Sequence, residues 1–139
     1  SAKNRQGWAF VVVDDREGLD RLATAGDYTG PLRAAPAAVV LVRLPGGNDF
    51  DIGRVAQNIM LAAAARGVGS CPVTLHHREQ AREVLAVPDG HDATWAIALG
   101  YPDEAAEPDQ RRRAAAMGLT GRRPLADLVR HGTFGTPSG

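Results

Sequence analysis

The sequence predicts a layered fold that mixes strands and helices, on three observations. Short apolar runs rich in β-branched residues stand at residues 8–13 (WAFVVV), 37–42 (AAVVLV) and 94–99 (TWAIAL), each bounded by acidic or turn-forming residues, which is the signature of strands. Between them lie stretches in which apolar residues recur every three or four positions, the helical period. The chain has 139 residues, enough for one ordinary domain that hides about two thirds of the surface of its unfolded form. Strands separated by helices imply layers, but periodicity does not give strand order.

Residues 8–13 are apolar throughout and run into Asp14 and Asp15, so they predict a buried strand. Residues 15–25 then place Leu19, Leu22 and Ala23 on one helical face before Gly26. Pro31 and Pro36 bracket a loop. Residues 37–42 are apolar at every position, the pattern of a strand covered on both faces, and LPGGND is a turn. The strongest helix follows, with Ile52, Val55, Ala56, Ile59, Met60 and Ala63 in register, Asp49 or Asp51 available as a cap and Gly67 as a stop. Its alanines allow close packing, so a central core helix is expected.

GVGSCPVTLHH at 67–77 reads as a polar loop, residues 78–86 as a shorter helix carrying Ala81, Val84 and Leu85, and Pro88-Asp89-Gly90 as the turn into the strand at 94–99. Residues 103–120 shift to Pro, Glu, Asp and Arg, a surface excursion on which Arg111, Arg112 and Arg113 form a solvated face. Residues 124–129 suit a short helix or a turn, and 132–139 a flexible tail. No repeat is visible, and residues 1–139 read as a single domain.

Sixteen basic and sixteen acidic residues cancel, which gives no reason to expect a nucleic acid or an anionic membrane as partner. The one cysteine, without CxxC or any Cys/His set at ligand spacing, argues against a disulfide or a metal site and for a reducing, cytoplasmic setting. No apolar run reaches the roughly 18 residues of a membrane span, and WAFVVV is too short for a signal-peptide core. Gly67-Val68-Gly69 lacks the third glycine of a dinucleotide fingerprint, and no GxxxxGK[ST] is present. Ser70 and Cys71 lie near His76 and His77 in sequence, but no acid is visibly placed to orient a base. A small buried cysteine and two surface histidines at a helix start are the simpler expectation.

Four stretches nevertheless carry a resemblance. The opening SAKNRQ-x-W-x-FVVV, the helix DIGRVAQNIMLAAAARGVGSCPVTL, the strand and turn WAIALGYPDE and the terminal GRRPLADLV together resemble the FMN-dependent nitroreductase family, in this order and over nearly the whole chain. The resemblance implies an α+β, nitroreductase-like fold whose mixed central sheet is flanked by helices. It also implies a homodimer with FMN at the subunit interface. The implied activity is that of an oxidoreductase that takes hydride from NAD(P)H at flavin N5 and reduces an electron-poor acceptor such as a nitroaromatic or a quinone. Relatives with the same fold act as dehydrogenases or dehalogenases, and a non-catalytic dimer that has lost FMN is a further alternative. Because the flavin carries such chemistry, no catalytic side chain is expected.

The resemblance also assigns a cofactor site. Ser1, Ala2, Asn4 and Gln6 match the Ser-x-x-Asn segment that reaches the flavin from one subunit. The Asn4 amide offers both donors and an acceptor to a ring edge that presents both, although taken alone Asn4 reads as a turn residue. Pro72, Val73, Thr74 and Leu75 match the segment whose backbone N–H groups face flavin N5 and O4, where fixed dipoles stabilise charge without reorganising. Arg122 matches the family's C-terminal phosphate-binding residue, with Arg123 able to assist through the same fork geometry; without the resemblance the pair reads equally as solvated. Family members begin with an upstream helix bearing an Arg-x-Ser type element, and nothing here precedes Ser1, so the chain is expected to be N-terminally incomplete and its hold on the phosphate weaker. Gly7 stands where the family commonly has Pro, which is expected to loosen the loop.

Overall fold

Four strands, β1 (Trp8–Val13), β2 (Ala37–Arg43), β3 (Gly69–Thr74) and β4 (Asp92–Gly100), form one sheet in the order β1-β2-β4-β3, every neighbouring pair antiparallel. They belong to a computed structural model that describes residues 1–135, in which the chain separates into two compact units, Ser1–Pro102 and Asp103–Gly139. The α+β class is as expected, while the parallel pairing that a mixed sheet requires is absent among the described residues.

Four helices accompany the sheet in the first unit: α1 (Arg16–Leu22), continued by a 3-10 turn over Ala23–Ala25, α2 (Gly30–Ala34), α3 (Asp49–Ala64) and α4 (Arg78–Leu85). Strand alternation sorts the side chains. Ala38, Val40 and Val42 of β2 and Ala96 and Ala98 of β4 face Leu19, Leu22, Leu32 and Ala81 from α1, α2 and α4. Leu41 and Ile97 face the other way, onto Ile52, Val55, Ala56, Ile59 and Met60 of α3. The sheet is thus a middle layer, with three helices on one face and α3 alone on the other.

Several local expectations change. β1 is an edge strand, and Phe10 and Val12 on the α3 side are 47% and 63% exposed, because α3 does not extend over them. Most of the stretch from Pro31 to Pro36 is helical, as part of α2, with Pro31 suited to its place in the first helical turn. GVGSCPVTLHH is mostly strand: Gly69–Thr74 forms β3, and Pro72 is tolerated because it sits on the sheet's edge. Cys71 on that edge is exposed, not buried. Asn48, rather than Asp49 or Asp51, caps α3; its Oδ1 accepts from Asp51 N at 2.9 Å and its Nδ2 donates to Asp51 Oδ2 at 3.0 Å. Of α3 only Asp51 and Ile52 are buried, so the expected core helix is half covered in the single chain.

The excursion at 103–120 contains a helix, α5 (Glu107–Ala116), and a short α6 (Leu125–Leu128) follows; neither buries a residue. With no apolar face to dock, α5 rests on local terms: Pro108 in its first turn, acidic residues at its start, and the pairs Glu107–Arg111 and Asp109–Arg112. Within the expected tail, residues 136–139 lie outside the described residues. No helix among the described residues is long and apolar enough to cross a membrane.

Candidate functional site

The opening segment folds into a tight knot. A 3-10 turn covers Ala2–Asn4, and Lys3, Asn4 and Gln6 all adopt positive φ (53°, 52° and 49°). Non-glycine residues in this region cost of the order of 1 kcal/mol each or more and persist only where surrounding bonds fix them. Here Asn4 N donates to Ser1 O, Gln6 N donates to Ser1 Oγ at 2.9 Å, Gln6 Nε2 donates to Asn4 Oδ1 at 2.9 Å, and Trp8 N donates to Gln6 O at 2.8 Å. Ser1 Oγ therefore braces the knot, and the exposed Asn4 amide is oriented by Gln6 through its Oδ1.

Two glycines hold the knot against the loop that precedes α3. Leu44 N donates to Gly7 O at 3.1 Å, and a Cβ on Gly47 would lie only 2.2 Å from that same oxygen. A Cβ on Gly7 would meet Gly47 Cα at 2.7 Å. Gly7 is thus one half of a backbone-on-backbone crossing that no side chain fits, instead of a looser substitute for proline. Beyond the crossing, Ser1 N lies 3.8 Å from Asp51 Oδ1 in the first turn of α3.

The same turn borders the second element of the site. Ile52, Gly53 and Ala56 of α3, Leu41 of β2, Trp95, Ala96 and Ile97 of β4, and Pro72 of β3 enclose an apolar cavity of about 330 Å³, with Asp49 at its lip. Asp49 is paired with Arg43, Nε to Oδ1 3.0 Å, and Arg43 also reaches Asp92 at 3.5 Å, which ties the start of α3 to the sheet. Trp95 is 43% exposed, a large ring only partly covered.

The edge of β3 supplies polarity. Leu75 N donates to Thr94 O at 2.8 Å, so antiparallel alternation turns the N–H and C=O of Leu75 and Val73 inward to β4 and those of Thr74, along with the carbonyl of Pro72, outward. Proline has no N–H to lose at such a position. The side chains of Val73 and Leu75 are buried in the three-helix core, so of the four expected residues Pro72 offers a ring, Thr74 an N–H, and the other two only anchorage.

Ser1, Asn4 and Gln6 are thus brought together, and the first turn of α3 stands between their knot and the Pro72 cavity. Arg122 lies in the second unit and is exposed; its neighbour Arg123 donates to Asp127 O at 3.3 Å. Sequence reasoning missed the Gly7–Gly47 crossing, the Asn48 cap, the exposed Trp95, and an acid for the histidines. Asp27, fifty residues away, has Oδ1 3.0 Å from His77 Nε2 and Oδ2 3.7 Å from His76 Nδ1. A turn signal, Ala-Gly-Asp, marked its loop, but nothing local tied it to the histidines.

Comparison with known proteins places this geometry in a family. The model of the nitroreductase family matches residues 31–101, just over half of the chain. The chain is 33% identical over 115 residues to an Archaeoglobus fulgidus protein provisionally named NADH dehydrogenase/NAD(P)H nitroreductase, covering 75% of this chain and 66% of that protein. It spans 60% of a similarly named protein of Methanothermobacter thermautotrophicus, so less than two thirds of these relatives' lengths is represented. Among solved structures, an FMN-dependent nitroreductase from Clostridium difficile superposes with a TM-score of 0.65 at 32% identity, over 75% of this chain and 68% of that one. Nitroreductase A from Vibrio parahaemolyticus reaches 0.81 over 98% of this chain and 61% of its own, at 20% identity, a likeness of fold. The chain belongs to the nitroreductase family.

Proposed function

We propose that this chain is an FMN-dependent oxidoreductase that carries electrons from NAD(P)H to an electron-poor acceptor, a nitroaromatic or a quinone, as a homodimer. The observation that carries the reading is the edge of β3, where an apolar ring (Pro72) beside an apolar cavity is followed two residues later by an outward N–H (Thr74). A flat heteroaromatic with an apolar face and a polar edge fits that combination. Such a cofactor supplies the redox chemistry, and the chain's residues bind and orient it. Pro72 and Trp95 offer apolar contact, Thr74 N–H a fixed donor at the edge, Asn4 an oriented amide, and Arg122 a guanidinium for the phosphate.

The dimer reading rests on the face that α3 leaves open. Val55, Ala56, Ile59 and Met60 are only partly buried, and Phe10, Val12, Phe50 and Leu61 are exposed. A second copy would cover this surface and bring its own Ser1–Gln6 knot to the neighbour's β3 edge. Titration of the purified protein with FMN, followed by visible absorbance, and then oxidation of NADH or NADPH with a nitroaromatic acceptor, tests the proposal. Saturable uptake and acceptor-dependent turnover are expected; no FMN uptake at about a hundred micromolar overturns it.

A further inference from the structure

The loop between α1 and α2 touches the end of β3 at four points. Ala25 O accepts from His77 N at 2.9 Å; Asp27 N donates to His76 Nδ1 at 3.3 Å; the Asp27 carboxylate meets His77 Nε2 at 3.0 Å. At the fourth point, Gly26 packs so closely that a Cβ there would lie 2.6 Å from Thr74 O. The loop is itself fixed, by Thr29 Oγ1 donating to Ala23 O at 2.7 Å in a buried position and by Gln80 Nε2 donating to Thr24 Oγ1 at 2.8 Å. Tyr28 meets the His76 ring edge-on, 6.1 Å between centroids. His76 Nδ1 thus accepts the Asp27 N–H, and the Asp27 carboxylate accepts from His77 Nε2.

We propose that Asp27 is a positioning residue for the Thr74 edge: with Gly26 it clamps the Thr74–His77 corner from the side opposite β4 and so sets where the Thr74 N–H points. This rests on the flavin reading above. Thr74 is the one expected cofactor contact held from both sides, by β4 through Leu75 and by the loop through Gly26. Asp27 touches neither cavity nor knot, so it acts only through the corner.

The test compares Asp27→Ala, Asp27→Asn and Gly26→Ala in the purified protein by FMN titration and by the midpoint potential of the bound flavin. Loss of one hydrogen-bonded constraint weakens binding by about three- to tenfold. That loss, with a shifted potential, is expected for Asp27→Ala and for Gly26→Ala. Asp27→Asn, whose Oδ1 still accepts from His77, should stay near wild type. Wild-type affinity and potential in Asp27→Ala overturn the proposal, as does an Asn variant as impaired as the Ala variant. If the wild-type protein takes up no FMN, the flavin reading fails separately, and hydrogen exchange decides the positioning claim. Faster exchange of the Leu75 and His77 amides in Asp27→Ala supports it, and unchanged exchange overturns it.

Discussion

Replacing Gly47 by alanine should destabilise the protein more than its half-buried loop position suggests. The added Cβ would sit 2.2 Å from Gly7 O and 3.0 Å from Leu44 O, roughly an ångström inside ordinary contact with the first. Both are backbone atoms, so no flexible side chain can swing away. Forcing such a crossing apart costs about 1–3 kcal/mol, and retreat of Gly7 also loses the Leu44 N–H bond to Gly7 O at 3.1 Å, worth about 0.5–1.5 kcal/mol. The sum is about 2–4 kcal/mol, which in a domain of this size lowers Tm by roughly 6–20 °C. Circular dichroism melting of Gly47→Ala beside Gly30→Ala measures it. No atom lies within 4 Å of a Cβ on Gly30, so that control should be neutral or slightly stabilising. A Gly47→Ala melt within 2 °C of wild type would show that the Gly7–Gly47 crossing does not hold the opening segment.

Asn48→Ala removes the α3 cap and both of its bonds to Asp51, and should cost about 0.5–2 kcal/mol by denaturant titration; an unchanged midpoint contradicts the assigned cap. Arg122→Ala should weaken FMN about tenfold or more while sparing riboflavin, which has no phosphate; equal losses for both ligands in parallel titrations would remove Arg122 from the phosphate role. Light scattering at micromolar concentration should give twice the chain mass, and a monomer under those conditions counts against α3 as the subunit interface.

Periodicity alone determined much of this protein. The strands at 8–13, 37–42 and 94–99, the long helix through Ile52 and Met60, and the stop at Gly67 follow from local sequence, because burial of one face imposes a period of 2 or 3.6. The four stretches that resemble the family likewise lie in the sequence itself. What local sequence left open is everything that depends on partners distant in the chain. An apolar run such as WAFVVV looks the same in the centre of a sheet and at its edge, and only the order β1-β2-β4-β3 exposes Phe10 and Val12. β3 escaped notice because an edge strand with proline and small residues lacks the apolar signal of a buried one.

At the site the same division holds. That Pro72 to Leu75 match the family's flavin-facing segment was legible from their resemblance, but which of their groups face outward was not, since that depends on the hydrogen-bond phase with β4 that turns Thr74 outward and buries Val73 and Leu75. Gly7 and Gly47 are forty residues apart, and Asp27 and His77 fifty. Their value lies in a backbone crossing with no room for a Cβ and in a 3.0 Å pair, short-range terms that exist only once the chain has closed on itself. The sequence by itself therefore determined three of the four strands, the long helix α3 and the family. The tertiary structure alone decided which backbone groups face outward and what clamps them there, because steric exclusion and hydrogen bonding act over a few ångströms of space, whatever the separation along the chain.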